Sequence, residues 1–118
     1  MDWPGSIETN REIEIETSQA PGAPVHRTTI WAVEDGGDVY IRSLKGDGGR
    51  WYRELTANPE AVVRVGAEAV HVRALPAADD ESIERASDGL RRKYSDSRAL
   101  QSMLEEGILH TTLRLEPR

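Results

Sequence analysis

The chain has 118 residues, a formal net charge of −6, 37% apolar residues, three Trp, three Tyr, and neither Phe nor Cys. Its length suits one domain, residues 1–118, with a real core, and the lack of cysteine removes disulfides, thiolate metal sites and cysteine nucleophiles. Net acidity argues against nucleic acid or an anionic membrane as partner. No apolar run approaches the ~20 residues of a membrane span, and MDWPGSIETN lacks a signal-peptide pattern, so a cytoplasmic protein is expected.

EIEIET (Glu12 to Thr17) alternates strictly, setting Ile13, Ile15 and Thr17 against glutamates, which predicts a half-buried strand. SQAPGAP is a loop, and RTTIWAV (Arg27 to Val33), rich in β-branched residues, predicts a second strand. Glu34 to Asp38 supplies a hairpin turn into DVYIRS (Asp38 to Ser43), the third strand. A glycine loop follows, then a short helix over Arg50 to Ala57, stopped at Asn58-Pro59. Ala61 to Val65 and Glu68 to Leu75 predict two strands joined at Gly66-Ala67. Asp79 to Tyr94 is amphipathic, with Ile83, Ala86, Ser87, Leu90 and Tyr94 on one stripe. Asp96 or Ser97 can cap a short helix carrying Leu100, Met103 and Leu104 and closed by Gly107, and Ile108 to Leu115 predicts the last strand. Six hairpin-linked strands with few helices predict a mainly β chain, an antiparallel sheet curling into a small barrel.

The stretch RSLKGDGGRWYRELTANPE concentrates positive charge in an acidic protein. From Arg42 to Arg53, four cations (Arg42, Lys45, Arg50 and Arg53) stand against one anion, Asp47, among three glycines. It is not a P-loop, because Lys45 precedes the glycines and no long helix follows. Glycines before a helix start still let backbone N–H groups converge on an anion. Arg42, Ser43 and Lys45 add charged and neutral donors, and Trp51 adds an apolar wall for a planar ligand. The charges of the long helix, acidic at Asp79 to Glu84 and basic at Arg91 to Lys93, complement the helix dipole and need no nucleic acid. No Gly-x-Ser-x-Gly elbow supports a serine hydrolase, and His26, His71 and His110 share no ligand spacing, so no metal is expected.

HRTTIWAVEDGGDVYIRS and KGDGGRWYRELTANPEAVVRVGAEAVHVRA resemble the flavin- and deazaflavin-binding split-barrel proteins. That superfamily includes pyridoxamine-phosphate oxidase-like enzymes and deazaflavin-dependent nitroreductases. Trp3, TIW, VYIRS, WYR, KYS and TTLRLEPR are similar to an uncharacterised bacterial family of this fold group. The resemblance implies a six-stranded antiparallel split barrel, a homodimer and a cofactor at the subunit interface, either FMN or an 8-hydroxy-5-deazaflavin coenzyme. It places the cofactor against Arg27, Thr28, Thr29 and Ile30, with the ring along the last three, and the phosphate on Arg42, Ser43, Lys45 and Arg50, with Trp51 as a wall. The segment before the first strand is expected to be too short for the N-terminal helix that covers substrate in those nitroreductases.

These readings imply an oxidoreductase whose cofactor carries the hydride chemistry. The alternative is a non-catalytic split barrel serving as a binding or sensory module for a phosphorylated ligand or partner protein. Tyr40 and His26 are the nearest candidates for a proton donor, and no catalytic residue is assigned. Both faces of the strand carrying Trp31 are apolar or β-branched, so one is expected to meet the core and the other a second subunit. Lys45→Ala and Arg42→Ala are each expected to weaken cofactor binding with the melting temperature nearly unchanged.

Overall fold

A computed structural model describes residues 2–118. It has four α-helices, α1 (Trp3–Thr9), α2 (Arg50–Ala57), α3 (Asp80–Lys93) and α4 (Leu100–Met103), among the described residues. Seven strands accompany them: β1 (Ile13–Ser18), β2 (Val25–Ile30), β3 (Val33–Asp35), β4 (Asp38–Ile41), β5 (Glu60–Val65), β6 (Glu68–Pro76) and β7 (Leu113–Pro117). They form one curled antiparallel sheet in the order β2-β1-β5-β6-β7-β4-β3. The fold is the expected mainly β half-barrel, with seven strands rather than six.

The extra strand comes from a break at Trp31-Ala32, where a single strand from Arg27 to Val33 was expected. The two halves go to opposite edges of the sheet: β2 pairs β1, with His26 opposite Thr17, and β3 pairs β4. Side-chain groups hold the break. Trp31 stacks on Tyr94 with ring centroids 3.9 Å apart and planes within 5°. Lys93 Nζ donates to the carbonyls of Ala32 and Ile7, each at 2.6 Å, and the Tyr94 hydroxyl donates to Arg11 O at 2.6 Å. Burial depresses the Lys93 ammonium to about 8 and raises the Tyr94 phenol to about 12.

Two further differences have local causes. A helix does precede the first strand: Asp2 caps it by accepting from Gly5 N at 3.2 Å, Pro4 suits its first turn, and Trp3 and Ile7 are buried. The last strand starts later than Ile108, because Glu106–Thr111 winds as a 3₁₀ segment. There the Thr111 and Thr112 hydroxyls donate to Ile108 O and Leu109 O, both at 2.7 Å, offering the backbone local partners instead of a ladder.

The core has two parts. Ile13, Ile15, Val39, Ile41, Val63, Val72, Leu113 and Leu115 line the concave side of the sheet, closed by Trp3 and Ile7 of α1 and by Trp51 and Leu55 of α2. A second cluster sits under α3, where Ala86, Leu90 and Tyr94 meet Val33, Tyr40 and Met103. The helix can approach β3 this closely because residue 89 is glycine. A Cβ there would stand 2.9 Å from the Cβ of Val33.

Candidate functional site

The strand that ends at Ile41 releases the chain into the cation-bearing loop. Gly46 takes a left-handed φ of 62°, and Gly46–Gly48 forms one 3₁₀ turn. Ser43 pins the turn: its hydroxyl donates to Gly46 O at 2.8 Å, and its N–H donates to Thr111 Oγ1 at 3.0 Å. Gly49 is required for contact, since a Cβ at this position would lie 2.5 Å from Ser43 Oγ. The chain then enters α2 with no side chain capping its first N–H groups. His110 of the 3₁₀ segment reaches back to Asp47 at 2.8 Å, fastening the far side of the loop.

Between this loop and β2 lies a cleft of about 510 Å³. That size falls in the range of roughly 300–1,000 Å³ typical of small-molecule sites. Thr28, Thr29, Ile30 and Trp31 form one wall, and Arg42 to Lys45 with Gly49, Arg50 and Trp51 form the other. Ala99, Met103 and Glu12 complete it. Eight of the nine residues proposed from sequence therefore face one cavity. Arg27 does not. Its side chain lies on the outer face of β2, bonded to Glu16 through Nε at 3.0 Å and Nη2 at 2.7 Å. Alternation along the strand puts residue 27 opposite in direction to residues 26 and 28.

The cations divide into two kinds. Lys45 and Arg50 are exposed at the mouth, and their side chains make no hydrogen bond or ion pair to another described residue. Arg42 is 3% exposed and forms the floor. Its guanidinium donates to Thr112 Oγ1 (2.8 Å), Ser87 Oγ (3.1 Å), Met103 O (3.0 Å) and Ile83 O (3.2 Å). All four acceptors are neutral, and no carboxylate pairs with it among the described residues. Burial, with a small contribution from Arg91, lowers its value to about 10, so it stays charged at neutral pH. The sequence suggested Arg42 for an expected phosphate but could not show that it ties α3, α4 and the residue before β7 together.

The apolar walls are the indoles. Trp51 is buried on its core side and meets Tyr52 edge-on, with centroids 6.4 Å apart at 85°. Trp31 is half-buried and held by its stack on Tyr94. β2 is an edge strand, so backbone N–H and C=O groups along its free side have no ladder partner and are available to a planar heteroatom edge. Of the two proton-donor candidates, Tyr40 is withdrawn from the cleft: it is 1% exposed in the second core cluster, with Arg85 5.5 Å from its ring centroid. Burial, chiefly, raises its phenol. His26 stays near, held by Glu54 at 2.7 Å. Glu54 was not singled out from sequence, although its spacing of four from Arg50 on a short helix puts both on one side.

The fold recurs among solved structures. A putative pyridoxamine 5'-phosphate oxidase from Listeria innocua matches with a TM-score of 0.69 at 16% identity, covering 97% of this chain and 89% of that one. An F420-H2 dependent reductase matches with a TM-score of 0.68 at 18% identity, covering 90% and 94%. The heme storage protein HutZ from Vibrio cholerae matches with a TM-score of 0.69 at 12% identity, covering 97% and 86%. At these identities the likeness shows the split-barrel fold alone. No curated protein sequence matches the chain. Residues 5–115 match the family described as "Uncharacterized protein conserved in bacteria (DUF2255)", and the chain belongs to it.

Proposed function

We propose that this DUF2255 chain binds a flavin-type cofactor, FMN or an 8-hydroxy-5-deazaflavin coenzyme, in the cleft between β2 and the glycine loop. In this reading it is an oxidoreductase passing hydride to a small molecule. The observation that carries the reading is uncompensated charge. Arg42, Lys45 and Arg50 line one cavity with no carboxylate partner among the described residues, against one lining carboxylate, Glu12, in a protein of net charge −6. A buried cation without an anion is costly, and a phosphate at the mouth offsets that cost. The residues fit such a group. Lys45, Arg50 and the loop amides suit the phosphate, Ser43 shapes that loop, the free edge of β2 at Thr28–Ile30 suits the ring edge, and Trp51 and Trp31 suit its faces. Arg42 adds field from below rather than a fork. When bound, the cofactor supplies two-electron chemistry, while the chain binds and orients it and excludes water.

The relatives add support by fold: the pyridoxamine 5'-phosphate oxidase-like and F420-H2 dependent proteins share this sheet. A domain-swapped dimer occurs among similar structures, at a TM-score of 0.63 and 17% identity. The same reading makes this chain a homodimer packed on the outer face of β2, where Val25 is 66% exposed, with Leu44 of the cleft 53% exposed. Light scattering at micromolar concentration is expected to give twice the mass of 13.1 kDa. Fluorescence titration of the apo-protein with FMN and with the deazaflavin coenzyme tests the cofactor directly. Saturable quenching of Trp31 and Trp51 is expected with one of them, and no response to either overturns the proposal. Binding without turnover of any reducible acceptor would favour the sensory-module alternative.

A further inference from the structure

One buried polar cluster has no task in the site as described. Glu54 is 8% exposed, yet both its oxygens are engaged. Oε1 accepts the Thr17 hydroxyl at 2.6 Å, and Oε2 meets His26 Nδ1 at 2.7 Å. Burial opposes its charge, but the hydrogen bonds from Thr17 and His26 prevail and hold the carboxyl below its ordinary range. An ionised carboxylate only accepts, so Nδ1 carries the proton and Nε2 is left as the exchangeable nitrogen. Nε2 has no hydrogen-bond partner among the described residues, and the side chain is 36% exposed.

The position matters as much as the tautomer. His26, Thr28 and Ile30 alternate on the inner face of β2, and the last two line the cleft. Glu54 lies one helical turn beyond Arg50, which also lines it. His26 is not itself a lining residue; it stands one strand repeat of about 7 Å beyond Thr28, where its bond to Glu54 joins β2 to α2 just past the Arg50 end of the cleft. The titratable groups that face it are Glu54 and, a turn away, Arg50, both from α2; β1 contributes the hydroxyl of Thr17.

We propose that His26 is the proton-exchanging group of this site. Glu54 and Thr17 act as positioning residues that fix the Nδ1–H tautomer. Nε2 then gives a proton to, or takes one from, the molecule bound at the Arg50 end of the cleft, and water restores the ring's proton through its exposed edge. This inference rests on the cofactor reading above and can fail independently of it. A group that merely pinned β2 to α2 would share the Nδ1–H tautomer, but its ring would not respond to a molecule bound in the cleft.

The test is long-range ¹⁵N–¹H spectroscopy of the histidine rings, with His26 assigned through His26→Gln. In the apo-protein above neutral pH the ring is expected as the Nδ1–H tautomer. Glu54→Gln is expected to shift it toward Nε2–H, and Thr17→Val to do so in part if Glu54→Gln does not fold. Saturation with FMN or the deazaflavin coenzyme is expected to shift the His26 ring resonances. An Nε2–H tautomer in the apo-protein overturns the inference without any ligand. Tryptophan quenching that saturates while the His26 resonances stay put overturns it and leaves the cofactor reading standing. Absence of binding by both ligands, with the tautomer as expected, overturns the cofactor reading and the inference together.

Discussion

Arg42→Ala separates a ligand-binding loop from a structural one. The substitution removes four hydrogen bonds that join the loop to α3, α4 and Thr112, the residue before β7. At about 1 kcal/mol net each, and with acceptors left inside, their loss costs roughly 4 kcal/mol. Part returns, because the guanidinium's depressed value near 10 shows that its burial is not fully compensated. A net cost of about 3 kcal/mol corresponds to a fall in melting temperature of roughly 10 °C for a domain of this size. Lys45→Ala, on an exposed side chain without partner, stays within about 0.5 kcal/mol, or roughly 2 °C. Differential scanning calorimetry of the two apo-variants decides the matter. The sequence alone led to a nearly unchanged melting temperature for both; the structure now separates them. An Arg42→Ala protein that melts within roughly 2 °C of the parent would refute the reasoning, because the buried network would then carry no stability.

Gly89→Ala is expected to destabilise by about 1–3 kcal/mol, although alanine is ordinarily the better helix former, because its Cβ would meet Val33 at 2.9 Å; urea denaturation gives the sign. Lys93→Ala removes two charged hydrogen bonds, to Ile7 O and Ala32 O, and is expected to cost about 2 kcal/mol and loosen α1. Faster amide exchange over Trp3–Thr9, with little change in β5 and β6, is the signature. The Glu16 carboxyl is held low by hydrogen bonds from Arg64 and then Arg27, and that of Glu54 by hydrogen bonds from Thr17 and His26 against burial. Depressed folded values mean stability present above the ordinary 4.5 and lost as pH falls through them. Melting temperatures of Glu54→Gln and the parent should therefore differ at neutral pH and converge as the pH falls below the ordinary carboxylate range.

Legibility in the sequence followed periodicity. β1, β5, β6, α2 and α3 were readable because one buried face per element imposes period 2 or 3.6, as with Ile13, Ile15 and Thr17. The hairpin at Gly36-Gly37 was readable because both residues take positive φ, 61° and 89°. The break at Trp31-Ala32 was hidden, since it is imposed by Tyr94 and Lys93 from about sixty residues away while the local residues all favour strand. α1 was missed because its helix signals, an Asp cap and Pro4, stand beside Gly5, a poor helix former. At the site, the glycine-cation order marked the loop, but nothing local showed that Arg42 turns inward or that Arg27 turns out to Glu16. Glu54 reads as a surface helix residue until the fold brings Thr17 and His26 to it.

The central claim is that Lys45 and Arg50, over Arg42, hold the phosphate of a planar redox cofactor. FMN and riboflavin carry the same ring and differ in that phosphate, so paired fluorescence titrations isolate it. One charge-assisted contact is worth about 1.5–3 kcal/mol, so FMN should bind the parent at least about tenfold tighter than riboflavin. The Lys45→Ala/Arg50→Ala double variant should lose most of that preference while still binding the ring weakly. A deazaflavin-selective protein should show the same loss for the phosphorylated coenzyme against its phosphate-free form. Equal affinity for the phosphorylated and phosphate-free forms in the parent, or an undiminished preference in the double variant, would contradict the account.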